Sequence, residues 1–206
     1  VLGAVFERGA PAWMRDADSL VQTPDELPTD IVEAGRVLGL GTDDIYGQLL
    51  TSWGKVDTEV REQVGAAGEA ALASALRSRT DAKVDQVSAW SDGFGYDIAV
   101  VGGDVSAHLE VKSTTRSGRL TVYMSRNEYN VMLRDEDWVM VAVRLTTDLT
   151  LDGSGSISKE WILENAPRDS GAAGHWASCK LEVPPEVIHD GIPRIRQALT
   201  APLPGW

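Results

Sequence analysis

The order of hydrophobic patterns along the chain predicts an α/β fold: a mixed central sheet flanked by helices, with a helical extension at the N-terminus. Three observations lead there. Residues 57–77, "DTEVREQVGAAGEAALASALR", place Val60, Val64, Ala67, Ala71, Leu72 and Leu76 on one helical stripe. Four short apolar runs of strand character follow. A further helical stretch then leads into the very apolar "WVMVAVRL", residues 138–145, which reads as a central strand.

Taken in order, residues 1–56 read as an extension of helices and loops. "TDIVEAGRVLGL" has helical spacing, with a cap at Thr29 and a stop at Gly39 or Gly41. A second short helix follows Thr42 through "DDIYGQLLTSW". After the helix at 57–77 come strands at 82–88, 96–101, 107–113 and 120–124, a helix at 125–134 and the strand at 138–145. Residues 152–173 are rich in glycine and serine and carry no clear pattern. A strand near 179–183 and a closing helix over 185–199, with proline in its first turn, complete the expected domain 57–206.

A chain of 206 residues with 43% hydrophobic content can bury one core of moderate size and still support an appendage. No apolar run approaches the roughly 18–20 residues that cross a bilayer, and no signal-like segment opens the chain, so a soluble cytoplasmic protein is expected. The single cysteine, Cys179, excludes an internal disulfide framework; with only His175 nearby it reads as a buried thiol and not a zinc ligand. Because the first residue is Val1 and not methionine, a processed product or a piece of something larger is expected. The net charge of −12 argues against a general nucleic-acid binder. Residues 1–60 hold eleven acids and four bases, net −7, whereas "KSTTRSGRLTVYMSRN" contains Lys112, Arg116, Arg119 and Arg126 and no acid.

The chemistry lies inside the strands. Alternation puts His108, Glu110 and Lys112 of "HLEVKS" on one face, with Leu109 and Val111 on the other. In "YDIAVV", Asp97 points away from Ile98 and Val100. If the two strands pair around "GGD", Asp97 lies beside Glu110. Two neighbouring carboxylates repel unless a cation sits with them, and magnesium is the expected occupant.

This arrangement resembles the PD-(D/E)XK nuclease superfamily, and more closely its branch with the C-terminal domain named after the plant protein NO VEIN. The likeness rests on "VGAAGEAAL" in a leading helix, "GYDIAV" and "LEVKST" on successive strands, and "SRNEYNVM" opening the next helix, running from about residue 62 to 144. "GYD" replaces the namesake Pro-Asp. The resemblance implies a restriction-endonuclease-like fold and a magnesium-dependent endonuclease that hydrolyses DNA, with manganese as a substitute ion. It makes Asp97, Glu110 and the backbone carbonyl of Val111 the metal ligands. Glu69 would contact the metal through water or help hold a second ion. Lys112 would orient and deprotonate the attacking water or stabilise charge on the phosphorane. Ser113, Thr114, Arg116, Arg119 and Arg126 would grip phosphates. It further implies a module of a restriction or anti-phage system, working with a recognition or ATPase domain or subunit; as a homodimer it could cut both strands, and alone only nick.

Structural readings stand beside each of these. Glu110 and Lys112 could form an exposed same-face ion pair worth about 0–1 kcal/mol. Glu69 could be a solvated helix residue. Ser125 and Glu128 have capping-box spacing, so Glu128 is expected to close a helix start and not to touch substrate. His108 is expected on an edge strand. Trp90, Phe94 and Tyr96 are expected to anchor a loop, with base stacking as the other reading. The competing functions are a catalytically silent interaction module with the same fold and an RNA-directed nuclease.

Overall fold

The structure, a computed structural model, describes residues 21, 23–88, 92–169 and 176–206; Trp90 and His175 lie outside them. The chain divides into two compact units, Val1–Gln63 and Val64–Trp206. Among the described residues no helix is long and apolar enough to cross a membrane.

The first unit contains α1 (Thr29–Val37) and the start of α2 (Thr42–Arg77). Pro28, not Thr29, takes the cap position of α1, and Thr29 is its first helical residue. The helix stops because Gly39 adopts φ +73°, which lets the Gly39 amide donate to Arg36 and the Leu40 amide to Gly35. At Gly35 a Cβ would stand 2.3 Å from Ile45 Cδ1, so the missing side chain lets Ile31, Ile45 and Leu49 close on one another. The two helices expected between residues 42 and 77 are one continuous helix of 36 residues. No proline interrupts it, and a glycine such as Gly54 costs only about 1 kcal/mol in a helix interior.

The second unit contains β1 (Lys83–Gln86), β2 (Ile98–Gly102), β3 (Val105–Thr114), β4 (Leu120–Ser125), α3 (Arg126–Arg134), β5 (Trp138–Leu145), β6 (Leu151–Ile157), α4 (Lys159–Asn165), β7 (Ser178–Val183) and β8 (Ile188–Asp190). Six strands form the central sheet in the order β1-β2-β3-β5-β6-β8, and β4 pairs with β7 in a small second sheet. Every central neighbour is antiparallel except β3 and β5, which run parallel. This is the mixed, helix-flanked sheet that the sequence predicts.

Both faces of the central sheet are covered. Leu72, Ala73 and Leu76 of α2 pack with Ile98, Val100, Leu109, Val111, Val141 and Val143 on one face. On the other, Leu120, Val122 and Met124 of β4, Leu181 and Val183 of β7, Met132 of α3 and Ile162 of α4 pack with Trp138, Met140 and Ala142. Consecutive β5 residues thus feed opposite cores, which explains a strand apolar at nearly every position. Because β3 lies between β2 and β5, His108 is on an interior strand and not on an edge.

Two segments differ from expectation. Residues 152–173 include β6 and α4. The pattern is faint because β6 is built from small residues: a Cβ at Gly155 would stand 2.6 Å from Ile188 Cγ2, and one at Gly153 2.7 Å from the Gly205 carbonyl. The closing helix over 185–199 is absent. In its place are the 3-10 turn Pro185–Val187, β8, a bend at Gly191 with φ +76° and the 3-10 turn Pro193–Ala198. Ile188, Ile192 and Ile195 have helical spacing, yet Ile188 enters one core and Ile192 and Ile195 the other. Gly191 and Pro193, inside the span, break the helix that this spacing suggests.

Candidate functional site

The site begins with a two-residue turn. Gly103, at φ +59°, links β2 to β3 in a register of Gly102 opposite Val105 and Ile98 opposite Leu109. Asp97 stands just before β2. Its amide donates to the Leu109 carbonyl at 2.8 Å, and its Oδ2 accepts from the Val111 amide at 2.8 Å. Asp97 therefore brackets Glu110, as strand pairing predicts. The His108 amide points the opposite way, to the Asp137 carbonyl. Alternation along β3 then turns the amide and carbonyl of Val111 together towards the edge where β2 has ended.

Glu110 is only 3% exposed. Lys112 Nζ lies 2.7 Å from Glu110 Oε1 and 3.2 Å from Glu128 Oε1. The same-face pair exists, but with side chains only 15% and 4% exposed it is not an exposed strand pair. Glu128 also closes the start of α3: its Oε2 accepts from the Ser125 amide at 2.7 Å, and Ser125 Oγ accepts from the Glu128 amide at 3.2 Å. The expected capping box is present, and the contact with Lys112 is an addition that local spacing does not disclose.

Glu69 approaches from α2, on the other side of the sheet. Its Oε2 accepts from Ser88 Oγ at 2.6 Å and from Gln86 Nε2 at 3.2 Å, so it is not a solvated helix residue. Gly68 beside it allows close packing: a Cβ there would fall 1.8 Å from Ser113 Oγ. Ser113 is thereby buried against α2, on the opposite face from Lys112, with no hydrogen-bond partner for its hydroxyl. It cannot grip a phosphate from that position.

The expected phosphate-binding stripe is also changed by distant acids. Arg126 makes two hydrogen bonds to Asp169, at 3.0 and 2.6 Å, and its guanidinium lies 4.8 Å from the centre of the Trp176 ring. Arg119 is 3.8 Å from Glu182. Thr114 Oγ1 accepts from the Arg116 amide at 3.0 Å, shaping the turn after β3. Phe94 and Tyr96 sit 5.8 Å apart, and Tyr96 stacks on His108 with ring centres 4.3 Å apart. His108 Nδ1 is 2.6 Å from Asp135 Oδ2. Beneath this loop the Trp138 indole donates to the Gly95 carbonyl at 2.9 Å. Of this aromatic stretch Tyr96 anchors the loop, resting on His108, while Phe94 stays exposed on it.

The electrostatics follow from burial and from a shortage of positive charge. Burial pushes Asp97 up to about 7; Glu69 and Glu128 add to this, while the Val111 amide and Lys112 oppose it. Burial also raises Glu110 well above the usual carboxylate range, with Lys112 opposing and Asp97 and Glu128 adding. For Lys112 burial acts downward, but Glu110 and Glu128 outweigh it and hold the ammonium charged. Lys112 is the cation shared among these carboxylates.

Among the described residues no three histidine, cysteine or acidic side chains converge as a complete metal cage. Magnesium does not need one: it usually keeps several waters and takes one or two protein carboxylates. Asp97 Oδ2 takes the Val111 amide and Glu110 Oε1 takes Lys112, so each carboxylate keeps a second oxygen outside these two bonds. Neighbouring carboxylate oxygens are the donor chemistry that such an ion takes.

The family model described as "Protein NO VEIN, C-terminal" matches residues 68–148. That span holds Glu69, Asp97, Glu110, Val111, Lys112 and Glu128, and it includes the β3–β5 parallel pair. No curated protein and no solved structure matches the chain.

Proposed function

We propose that the unit Val64–Trp206 is a metal-dependent endonuclease of the PD-(D/E)XK type that hydrolyses phosphodiester bonds in DNA, and that it serves a restriction or anti-phage system. The supporting observation is the bracketing of Glu110 by Asp97, with Lys112 held 2.7 Å from the same glutamate. Asp97, Glu110 and the Val111 carbonyl are the residues suited to hold magnesium, or manganese in its place. The ion would supply the Lewis acidity that activates water and polarises a phosphoryl oxygen.

The chain's own groups divide the remaining work. Lys112, fixed between Glu110 and Glu128, presents a cationic donor that stabilises charge developing on the phosphoryl oxygens and orients the attacking water. Glu69 reaches the same region across the start of the sheet through its bonds to Ser88 and Gln86. With a net charge of −12, the chain is expected to bind DNA weakly and to rely on a recognition domain or partner, or on a second copy for double-strand cutting.

The test is cleavage of supercoiled plasmid with magnesium, manganese or chelator, comparing the native chain with Asp97→Ala and Lys112→Ala. Metal-dependent conversion to open-circle or linear DNA, lost in both variants, supports the reading; no cleavage with either ion, or cleavage untouched by the substitutions, overturns it. An RNA substrate run in parallel separates a ribonuclease. A second reading, a catalytically silent interaction module, is favoured by the way Lys112 already occupies a place between Glu110 and Glu128 and offsets part of their charge. Calorimetry that finds neither magnesium nor manganese binding would favour it.

A further inference from the structure

Glu128 belongs to α3, whereas Lys112 belongs to β3, and the two meet only through the tertiary fold. The carboxylate of Glu128 is divided. Oε2 takes the Ser125 amide at 2.7 Å, and Oε1 lies 3.2 Å from Lys112 Nζ. Its capping bonds limit where the second oxygen can go: the Glu128 amide is itself held by Ser125 Oγ. Lys112, for its part, has a four-carbon stem whose head can rotate freely when held by a single partner. With Glu110 as its only anchor, the ammonium would be tethered at one point; with Glu128 it is held at two.

We propose that Glu128 is a positioning residue which, braced by the Ser125 cap, fixes the Lys112 ammonium beside Glu110 and so makes the first turn of α3 part of the reaction centre. This rests on the nuclease reading for its catalytic consequence, but the positioning itself does not. A carboxylate used only to cap a helix would leave Lys112 indifferent to its charge. Glutamine separates the two roles: its carbonyl oxygen can still accept from the Ser125 amide, while its amide nitrogen presents protons to an ammonium and cannot pair with it.

The decisive measurement is made on the metal-free chain labelled with 15N-lysine, whose five lysines make assignment by Lys112→Arg direct. The Nζ shift is read through the adjacent CH2 protons, which do not exchange with water. Glu128→Gln is expected to move the Lys112 signal clearly while the other lysines stay still, with a melting temperature close to that of the native chain. Ser125→Ala, which weakens the cap from its other side, is expected to lower the melting temperature more than Glu128→Gln does. A Lys112 signal unmoved in folded Glu128→Gln overturns the proposal. If Glu128→Gln does not fold, Glu128→Ala and Glu128→Asp are read in the same way, because neither can hold the cap and Lys112 together. In the plasmid assay Glu128→Gln is expected to lower kcat about tenfold or more with KM for DNA little changed; an unchanged kcat overturns the catalytic half. If the native chain cleaves nothing, the nuclease reading fails on that result alone, and the lysine signal still decides whether Glu128 positions Lys112.

Discussion

The carboxylate of Asp97 accepts a hydrogen bond from the Val111 amide at 2.8 Å, at the point where β2 has ended and β3 continues. A side chain thus replaces the backbone acceptor that a longer β2 would have supplied. Satisfying Val111 holds the first carboxylate beside the second, so the edge of the sheet and the geometry of the site have one origin.

Asp97→Ala and Asp97→Asn should therefore differ in stability. Alanine strands a buried amide, which costs about 1–3 kcal/mol. Asparagine can still accept from Val111 and removes a carboxylate whose burial is unfavourable. Urea unfolding should place Asp97→Asn at or above the native chain and Asp97→Ala below it. Both should abolish metal-dependent cleavage, which separates loss of chemistry from loss of fold.

The raised proton affinity of Asp97 sets a pH dependence. A carboxyl with an ordinary value near 3.8 unfolded and about 7 folded binds its proton more tightly in the native state. Its stabilising contribution is fully present below the unfolded value and is lost as pH rises through about 7. In chelator, the native chain should lose stability relative to Asp97→Asn over that range. Added magnesium should reverse the trend, because it competes with the proton, and its stabilising effect should grow from about pH 6 to about pH 8. Parallel stability curves for the two proteins would count against Asp97 as the responsible group.

Removing Lys112 should damage the fold as well as the chemistry. Lys112→Ala leaves Glu110 buried without its cation, a loss of the kind that costs about 3–5 kcal/mol. The variant should recover stability when pH is lowered or magnesium is supplied, since either neutralises the glutamate. Lys112→Ala combined with Glu110→Gln should be more stable than Lys112→Ala alone. Thermal melting of the three proteins checks this, and additive losses would show that the pair is not coupled.

Gly68 should be intolerant of any side chain while Ser113 is present. A Cβ would fall 1.8 Å from Ser113 Oγ and 2.6 Å from its Cβ. Gly68→Ala should cost about 1–3 kcal/mol through overpacking, and Ser113→Gly in the same chain should restore part of it. Ser113→Ala alone should be neutral or slightly stabilising, because it removes an unsatisfied buried hydroxyl. Denaturation midpoints for the set test whether this contact joins α2 to β3 as described.

Much of this was legible because it is local. Alternation put Glu110 and Lys112 on one face, Ser125 and Glu128 stood at capping distance, and the apolar run "WVMVAVRL" read as a central strand. Local rules also misled where two cores shared one stretch. Ile188, Ile192 and Ile195 imitate a helical stripe while serving opposite sides of the sheet. The glycines and serines of β6 look like loop because their hydropathy says nothing of the chain packed against them.

By itself the sequence determined the strand faces, the start of α3 at its capping box and the presence of paired carboxylates, since these follow from backbone periods only a few residues long. The tertiary structure alone decided that Glu128 reaches Lys112, that Asp169 takes Arg126 from 43 residues away, and that Ser113 is buried against Gly68. Those pairings depend on which surfaces the closed chain brings together, a choice made by matching whole faces of the core and not by any residue's neighbours in sequence.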